Sequence, residues 1–332
     1  PELRGAFSYL DFWQEEHATM FTVAKSAGFD ILKDVSDAFE KALKDGQTPQ
    51  QFAKNLRPVL QAKGWWGKQL VEDPDTGELV PAQLGSNRRL ERIFDTNMRV
   101  SYAAGHWASF EQNKRARPFL RYVTMRDEHV RPQHARRHNL VLPVDHPYWN
   151  EWAPPCGWGC RCTLQSLSQR DVDRLVAEGE NLFFEPPENT WRNFVNRRTG
   201  EVTRVPDGID PGWAYNPGRA GYEAKVNQAY AEKIAEAEPQ FVAAAVDERV
   251  RSSAFERFFT EPRGSMPVMP IPEEITPAVG ADVRVAILQA DTMARQKVRF
   301  PELTIEDYRS LPSISIEPTL ILQDPERSFI LQ

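Results

Sequence analysis

The chain has 332 residues, too many for one compact core, so we expect two or three domains. Apolar residues make up 41% of the sequence and charged residues 27%, a balance that excludes wholesale disorder. The net charge of −6 excludes a generally cationic binder of nucleic acid, and no run of about 18 apolar residues is present that could span a membrane.

Two features bear on the cell compartment. The sequence opens at Pro1 without a basic and apolar signal segment, which predicts an intracellular, trimmed chain. All three cysteines fall between residues 156 and 162, and an odd number in one short loop is not the disulfide framework of a secreted protein. We therefore expect a reducing environment.

Periodic apolar residues, capping residues and turn residues divide the chain into elements. The clearest helix start is Thr48-Pro49 with Gln51, a capping box with proline in the first turn, and Pro58 should kink or shorten the helix that follows. The predicted elements are, in chain order, a helix at 31–43, a helix from 48, a hairpin or irregular loop at 65–85, a long helix at 86–113, a strand at 119–124, a loop-like stretch at 126–165, a helix at 168–179, a hairpin at 190–205, and a helical stretch at 223–259 interrupted at Pro239.

These elements predict the α+β fold class. A mostly helical N-terminal region precedes a small, irregular loop domain that contains β-structure, and a proline-rich linker leads to a small α/β module. The expected segments are a helical region at 1–115, a His/Cys-rich loop and hairpin domain at 116–220, a helical segment at 221–261, the linker at 262–278, and the C-terminal module at 279–332.

The C-terminal module is predicted from short patterns. We expect a strand at 283–288, helices near 291–298 and 304–310, and apolar runs at 319–322 and 328–331. Because the last apolar run has no strand after it, we expect a truncated domain or one that another chain completes.

Local signatures of catalysis are missing from the sequence. It holds no Gly-x-x-x-x-Gly-Lys phosphate loop, no Gly-x-Gly-x-x-Gly, no His-Glu-x-x-His and no Gly-x-Ser-x-Gly. These absences favour a protein that is not an enzyme, and we assign no catalytic residues.

Histidine and cysteine are concentrated in one segment. Four of the six histidines and all three cysteines lie within residues 129–162. Thiolate and imidazole are the ligands of tetrahedral zinc, and a loop with little core of its own gains stability from such a site. We predict a structural zinc site formed by His134, Cys156, Cys160 and Cys162. Two alternatives stay open: buried cysteines beside solvated histidines, or a catalytic metal site or Cys–His pair.

A strip of positive charge overlaps this segment. Residues 114–137 contain eight basic and two acidic residues, a local charge of +6. Such a strip fits phosphates or an acidic protein face, and the predicted contact residues are Arg126, Arg131, Arg136 and Arg137. The alternative is a solvated strip that the acidic remainder of the chain partly neutralises.

Aromatic residues stand beside the cysteines. Tyr148, Trp149, Trp152 and Trp158 could stack on bases, but packing of a loop that must build its own small core is favoured.

Three segments carry a family resemblance. They are a strand followed by Asp-x-x-Val-Arg-x-x-His at residues 121–134, Pro-Pro-Cys-Gly-Trp-Gly-Cys-Arg-Cys at 154–162, and Gly-Ile-Asp-Pro-Gly-Trp-Ala-Tyr-Asn-Pro-Gly at 208–218. With the long helix before them, they resemble the phage Mu F-like head morphogenesis (minor head protein) family over residues 30–220.

The resemblance marks Asp127, His134, Cys160 and Cys162 as motif positions. Cys156 stands where the family more often has asparagine, so Asp127 is the alternative fourth ligand.

The resemblance implies a minor head (capsid) protein of a tailed phage that bridges the portal and the capsid interior during head morphogenesis. The expected partners are the portal protein, the major capsid protein and packaged DNA, with no membrane. The expected location is the virion, at the capsid interior and portal vertex, after assembly in the host cytoplasm. Structural zinc is the only cofactor expected.

The alternative function is enzymatic. Residues 279–332 resemble the start of the barnase/EndoU/colicin/RelE-like nuclease domains, which would make the chain a phage-delivered effector with a nuclease-like toxin domain. The histidine expected near residues 297–300 is missing, so we do not expect nuclease activity.

Overall fold

The computed structural model describes residues 2–26, 29–262, 264–272, 284–316, 321–322 and 330–331. It combines helices with small, mostly antiparallel sheets, so the predicted α+β class is confirmed. The chain divides into two compact units, Pro1–Tyr222 and Glu223–Gln332. The finer division into five segments stays a prediction.

The first unit holds the helical region and the loop domain. Its strands are β1 (Glu2–Leu3), β2 (Met20–Phe21), β3 (Lys68–Glu72), β4 (Leu79–Gln83), β5 (Phe119–Val123), β6 (Val141–Pro143), β7 (Thr163–Leu167), β8 (Trp191–Val195) and β9 (Val202–Pro206). Its helices are α1 (Glu16–Thr19), α2 (Phe29–Asp45), α3 (Pro49–Ala62), α4 (Asn87–Asn113), α5 (Pro132–Ala135), α6 (Trp149–Trp152), α7 (Gln169–Ala177) and the first residues of α8 (Pro217–Glu236).

The helical region consists of α2, α3 and α4, close to the predicted bounds. The capping box of α3 is formed, because the Thr48 side chain accepts from the Gln51 amide at 3.2 Å and Gln51 Oε1 accepts from the Thr48 amide at 2.9 Å. Of the two predicted effects of Pro58, a kink or a shortening, the shortening does not occur: α3 continues to Ala62, since Leu60 is fully buried and packing holds the last turn.

An apolar core fills the space between these helices. Its buried members are Phe21, Val23, Ile31, Leu32, Val35, Phe39, Ala42, Phe52, Ala53, Leu56, Leu60, Trp65, Ala82, Leu84, Leu90 and Phe94. Their spacing of three and four residues along α2 and α3 is the pattern from which the helices were predicted.

The loop domain is built on a three-stranded antiparallel sheet in which β5 lies between β6 and β7. The stretch at 126–165, which was predicted as loop-like, contains α5, β6 and α6. These elements are too short to produce a periodic pattern in the sequence. The two predicted hairpins are present as β3–β4 and β8–β9.

The second unit follows Tyr222. Its elements after α8 are α9 (Pro239–Val250), α10 (Ser253–Thr260), β10 (Ser265–Pro270), β11 (Val285–Gln289), α11 (Ala290–Arg299), α12 (Ile305–Arg309), α13 (Leu311–Ile316), β12 (Ile321–Leu322) and β13 (Ile330–Leu331). The strand and the two helices predicted after residue 283 correspond to β11, α11 and α12.

Part of the predicted proline-rich linker is a paired strand. β10 is extended, as its prolines favour, but it pairs antiparallel with β11 and contributes the buried Met266 and Val268 to a core. Residue 263 and residues 273–278 of that linker lie outside the described residues.

The last two apolar runs contain β12 and β13, which pair with each other. The final run thus has a strand partner in the run before it, and the expectation of a truncated domain, or of one that another chain completes, stays a prediction. No described helix is both long and apolar enough to cross a membrane.

Candidate metal centre

One histidine and two cysteines meet at the edge of the three-stranded sheet. His134 lies on α5 and is 2% exposed, while Cys160 and Cys162 lie on the loop that enters β7. The imidazole Nδ1 is 3.7 Å from the Cys160 Sγ and 3.5 Å from the Cys162 Sγ, and the three ligand atoms lie within 4.8 Å of one another. Three of the four predicted ligands are thus brought together.

A backbone carbonyl fixes the orientation of the His134 ring. The ring Nε2 lies 2.8 Å from the Gly208 carbonyl, which can only accept, so Nε2 carries the proton. In the neutral ring this leaves the Nδ1 lone pair directed at the two sulfurs. A histidine that donates its other ring N–H to a carbonyl is the usual outer support of a metal ligand.

The spacing of the ligand atoms fits a tetrahedral ion. Zn–N and Zn–S bonds of about 2.05 and 2.3 Å at a tetrahedral angle place the nitrogen about 3.6 Å from each sulfur. The observed separations of 3.5 and 3.7 Å match this value. A cavity of about 180 Å³ lined in part by Cys160 and Cys162 gives an ion a path to the group.

The other two predicted ligands lie outside this group. Cys156 is fully buried and its thiol is hydrogen-bonded to that of Cys160, but it is not a member of the set whose ligand atoms are mutually within 4.8 Å. Asp127 is engaged elsewhere: Arg161 donates to both of its carboxylate oxygens at 2.7 Å, and this pairing lowers the carboxyl pKa. The structure therefore does not bring Asp127 to the sulfurs.

The three thiols influence one another's ionisation. Hydrogen bonds from Cys156 and Cys162 lower the pKa of Cys160, with a further contribution from His134. The hydrogen bond between Cys160 and Cys162 raises the pKa of Cys162, and burial raises the pKa of Cys156. Burial and the neighbouring cysteines also raise the pKa of the Tyr122 hydroxyl on β5.

A clamp centred on Asp210, which the sequence analysis did not identify, holds the cysteine loop in place. The Asp210 Oδ2 accepts from the Trp158 amide at 2.8 Å and from the Arg131 guanidinium at 2.9 Å. A Cβ at Gly157 would lie 2.4 Å from that same oxygen, so only glycine allows the approach. Gly208, with φ of +98°, would bring a Cβ to 2.4 Å from Gln133.

The segment at 208–218 therefore holds both His134 and the cysteine loop. In the sequence this segment is one of the three that carry the family resemblance. Its occurrence together with the cysteine motif in that resemblance is the available signal for a contact between the two.

The basic strip is largely neutralised within the fold. Lys114 pairs with Asp145, Arg117 with Asp171, and Arg121 and Arg126 with Glu180, at N–O distances of 2.5 to 3.2 Å. These ion pairs agree with the alternative interpretation of the strip, in which acidic residues elsewhere in the chain partly neutralise its charge.

The four predicted contact arginines differ in their surroundings. Arg137 is 1% exposed, so a surface contact does not fit its position. Arg131 is bound to Asp210, and Arg126 to Glu180. Among the described residues, Arg136 forms no ion pair, and it is exposed.

The aromatic cluster mainly forms a core, as favoured. Trp149 and Trp152 are fully buried, and their ring N–H groups donate to the Pro143 carbonyl at 2.9 Å and to Asn189 Oδ1 at 2.8 Å. Tyr148 stacks on Trp152 with ring centroids 6.2 Å apart. Trp158 differs from these, because it remains 38% exposed.

Comparison with known proteins identifies the family. The family model of Phage Mu protein F like proteins matches residues 33–165. Protein F of Escherichia phage Mu, which is named for capsid assembly, is 30% identical over 96% of this chain and 79% of its own length. The Mu-like prophage FluMu F protein of Haemophilus influenzae is 32% identical over 64% of this chain and 54% of its own length.

The chain belongs to the phage Mu F-like family. No solved structure matches the chain significantly. These matches give no support to a nuclease-like module at residues 279–332.

Proposed function

We propose that this chain is a minor head protein that acts by binding during phage head assembly and joins the portal to the capsid interior. The observation that carries the proposal is its similarity, over 96% of its length, to a phage Mu protein named for capsid assembly. Its place would be the virion, at the inner portal vertex, after assembly in the host cytoplasm. Its partners would be the portal and major capsid proteins, and it would act without turnover.

The fold supports a docking role for the loop domain. The sheet, the Asp210 clamp and the buried tryptophans give a rigid surface around a segment with little regular structure. Arg115 and Arg136 are exposed there and form no ion pair among the described residues, so they fit an acidic face of a partner. Packaged DNA stays a predicted partner, although the ion pairs of the strip leave few cations for phosphates.

The assembly proposal is tested in the phage or prophage that encodes the chain. Deleting the gene should abolish DNA-filled heads, and a plasmid copy should restore them. Cross-linking of restored heads followed by mass spectrometry should join this chain to the portal and the major capsid protein. Heads of normal number and DNA content without the gene would contradict the proposal, and cross-links to neither protein would contradict the bridging role.

We further propose that His134, Cys160, Cys162 and Cys156 hold a structural zinc ion. The distances from the His134 Nδ1 to the Cys160 and Cys162 sulfurs fit a tetrahedral ion, and the Cys156 thiol is hydrogen-bonded to that of Cys160. When bound, zinc would join α5 to the strand β7 and the cysteine loop. This role is structural, since all four positions are then filled by protein.

The ligand set is tested by X-ray absorption at the zinc edge. The proposal expects three sulfurs and one nitrogen in the wild type, and one sulfur fewer in Cys156→Ser. An Asp127→Asn variant serves as control and should leave the spectrum unchanged. A spectrum with two sulfurs in both the wild type and Cys156→Ser would remove Cys156 from the site, and a change in Asp127→Asn would restore the alternative ligand.

A further inference from the structure

A larger cavity, which contains none of the proposed metal ligands, lies in the first unit. Its volume is about 680 Å³, within the range of about 300–1,000 Å³ typical of ligand pockets. It is bounded by the N-terminal half of α4, the segment from Tyr9 to Ala24, and the loop at 211–215, with Trp158 between them.

One wall of this cavity is aromatic. Tyr9 and Trp158 meet edge to face with ring centroids 5.8 Å apart, and Trp158 meets Trp213 in the same way at 5.2 Å. Tyr9 and Trp158 are 37% and 38% exposed, large fractions for rings that already pack on one another. Such rings offer apolar area to a ligand at a low entropic cost.

The opposite wall carries arginines at the start of α4. Arg88, Arg89 and Arg92 line the cavity, and the first turn of the helix contains no acidic residue. Cations at a helix N-terminus oppose the helix dipole, and like charges four residues apart repel each other, so this arrangement lowers the stability of the helix by itself. Residues that lower the stability of their own helix, with no neighbouring contact to offset the loss, are typical of functional positions.

Only one of the three arginines is used by the fold. Arg89 donates to the carbonyls of Ala24, Gln83 and Leu84 and lies over the Trp65 ring. Arg88 and Arg92 are exposed and form no hydrogen bond or ion pair with any described residue. No aspartate or glutamate is among the described lining residues, although Asp210 and Glu15 lie close enough to help raise the pKa of the lining residues Tyr9 and Tyr215.

The distribution of positive charge in the cavity favours a peptide ligand over a nucleic acid. A single strand of nucleic acid is held by a positive groove that follows its backbone through several phosphates. Here the unpaired charge of the cavity wall is confined to two arginines one helical turn apart, and four cations of the strip at 114–137 are engaged in ion pairs with Asp145, Asp171 and Glu180. Two guanidinium groups beside an aromatic wall match one or two carboxylates beside a large apolar side chain.

We propose that this cavity binds an acidic segment of another protein, with one or two carboxylates on Arg88 and Arg92 and an adjacent aromatic or large apolar side chain against Tyr9 and Trp158. The inference goes beyond the proposed head-assembly function, because it specifies a surface and the chemistry of its ligand. It is tested on the purified chain, so its failure would leave the result of the gene deletion untouched.

The test uses fluorescence anisotropy with three labelled probes: a random glutamate–tyrosine copolymer, poly-glutamate of equal length, and oligo-dT. The proposal expects the copolymer to bind most tightly. The double variant Arg88→Glu/Arg92→Glu should lower its affinity by at least about tenfold. This variant should fold, since both side chains are exposed and acids are favourable at a helix N-terminus. Tyr9→Ala should weaken binding of the copolymer and leave binding of poly-glutamate unchanged.

The matched control is Lys44→Glu/Lys54→Glu, which makes the same change in net charge at exposed positions on α2 and α3. It should bind the copolymer like the wild type. Equal binding of the copolymer by all variants, or no binding by the wild type, would overturn the proposal. Tighter binding of oligo-dT, lost in Arg88→Glu/Arg92→Glu, would assign the cavity to nucleic acid instead.

Discussion

The helical region of α2, α3 and α4 and the His/Cys loop (residues 129–162) belong to one compact unit but are stabilised by different means. The helical region buries an apolar core to which many side chains each contribute a little. The loop also buries apolar side chains, among them Leu142, Trp149 and Trp152, but its buried groups include the polar His134 and Arg137 and the thiols of Cys156 and Cys160. The stability of the first region therefore depends on total buried area, whereas that of the second depends in addition on a few specific bonds.

The largest effect is expected from the metal group. Cys160→Ser should abolish zinc binding and disorder the loop, because structural zinc sites supply folding free energy of about 10 kcal/mol in small peptides. Tryptophan fluorescence should report exposure of Trp149 and Trp152, while far-ultraviolet circular dichroism of the helices is largely retained. Thr163→Ser, exposed and close in sequence, should match the wild type. An unchanged melting temperature in Cys160→Ser would break the comparison.

A core substitution should destabilise the helical region without touching the metal. Phe52 is 1% exposed and its ring centroid is 5.3 Å from that of Phe94. Phe52→Ala should lower the free energy of unfolding by about 3–5 kcal/mol in a urea titration, with unchanged zinc content. Val59→Ala, exposed on the same helix, should cost less than about 0.5 kcal/mol. Loss of zinc in Phe52→Ala would show that the two regions are not separable.

A conservative change should reveal how specific the bonds of the loop are. The Arg137 guanidinium donates to the Tyr148 hydroxyl at 2.6 Å, the Gln133 carbonyl at 2.6 Å and Asn189 at 3.0 Å, and it lies 3.2 Å from the centroid of the Trp152 ring. Lysine has no planar fork, so Arg137→Lys should cost about 1.5–3 kcal/mol by urea denaturation.

The neighbouring exposed arginine gives the control. Arg136→Lys should change the free energy of unfolding by less than about 0.5 kcal/mol. Equal costs at the two positions would mean that the buried network contributes nothing specific.

The smallest effect concerns pH. The Glu180 carboxylate accepts from Asn139 and Arg121 at 3.0 Å and from Arg126 at 3.2 Å, and these contacts lower its pKa. Because the pKa of Glu180 is depressed, the stabilisation of the fold by these contacts is complete above the ordinary glutamate pKa of about 4.3. This stabilisation is lost as the pH falls below that value. The melting temperature should therefore fall less steeply from pH 5 to pH 3, by about a degree or two, in Glu180→Gln. An identical pH profile would contradict this role.

The helical region could be predicted from the sequence much more closely than the His/Cys loop. The helices α2, α3 and α4 were predicted closely, because capping residues and apolar periodicity act within a few positions of one another. The hairpin β8–β9 was also predicted, and β3–β4 confirms one of the two alternatives for residues 65–85, since turn residues join adjacent segments.

The loop was predicted only in composition. Concentration of histidine and cysteine identified His134, Cys160 and Cys162, but the carbonyl of Gly208 and the carboxylate of Asp210 act across gaps of 52 to 79 residues. No periodic pattern encodes such distances. Charge counting failed at Arg137 for a related reason: a basic residue in a strip is expected at the surface, and here stacking on Trp152 and three hydrogen bonds compensate its burial.

Elemental analysis of the wild-type chain, purified without chelator, tests most directly whether imidazole and thiolates hold the loop together. Inductively coupled plasma mass spectrometry should find about one zinc per folded chain. Protein that is folded, contains no metal and takes up none from a zinc solution would contradict the account.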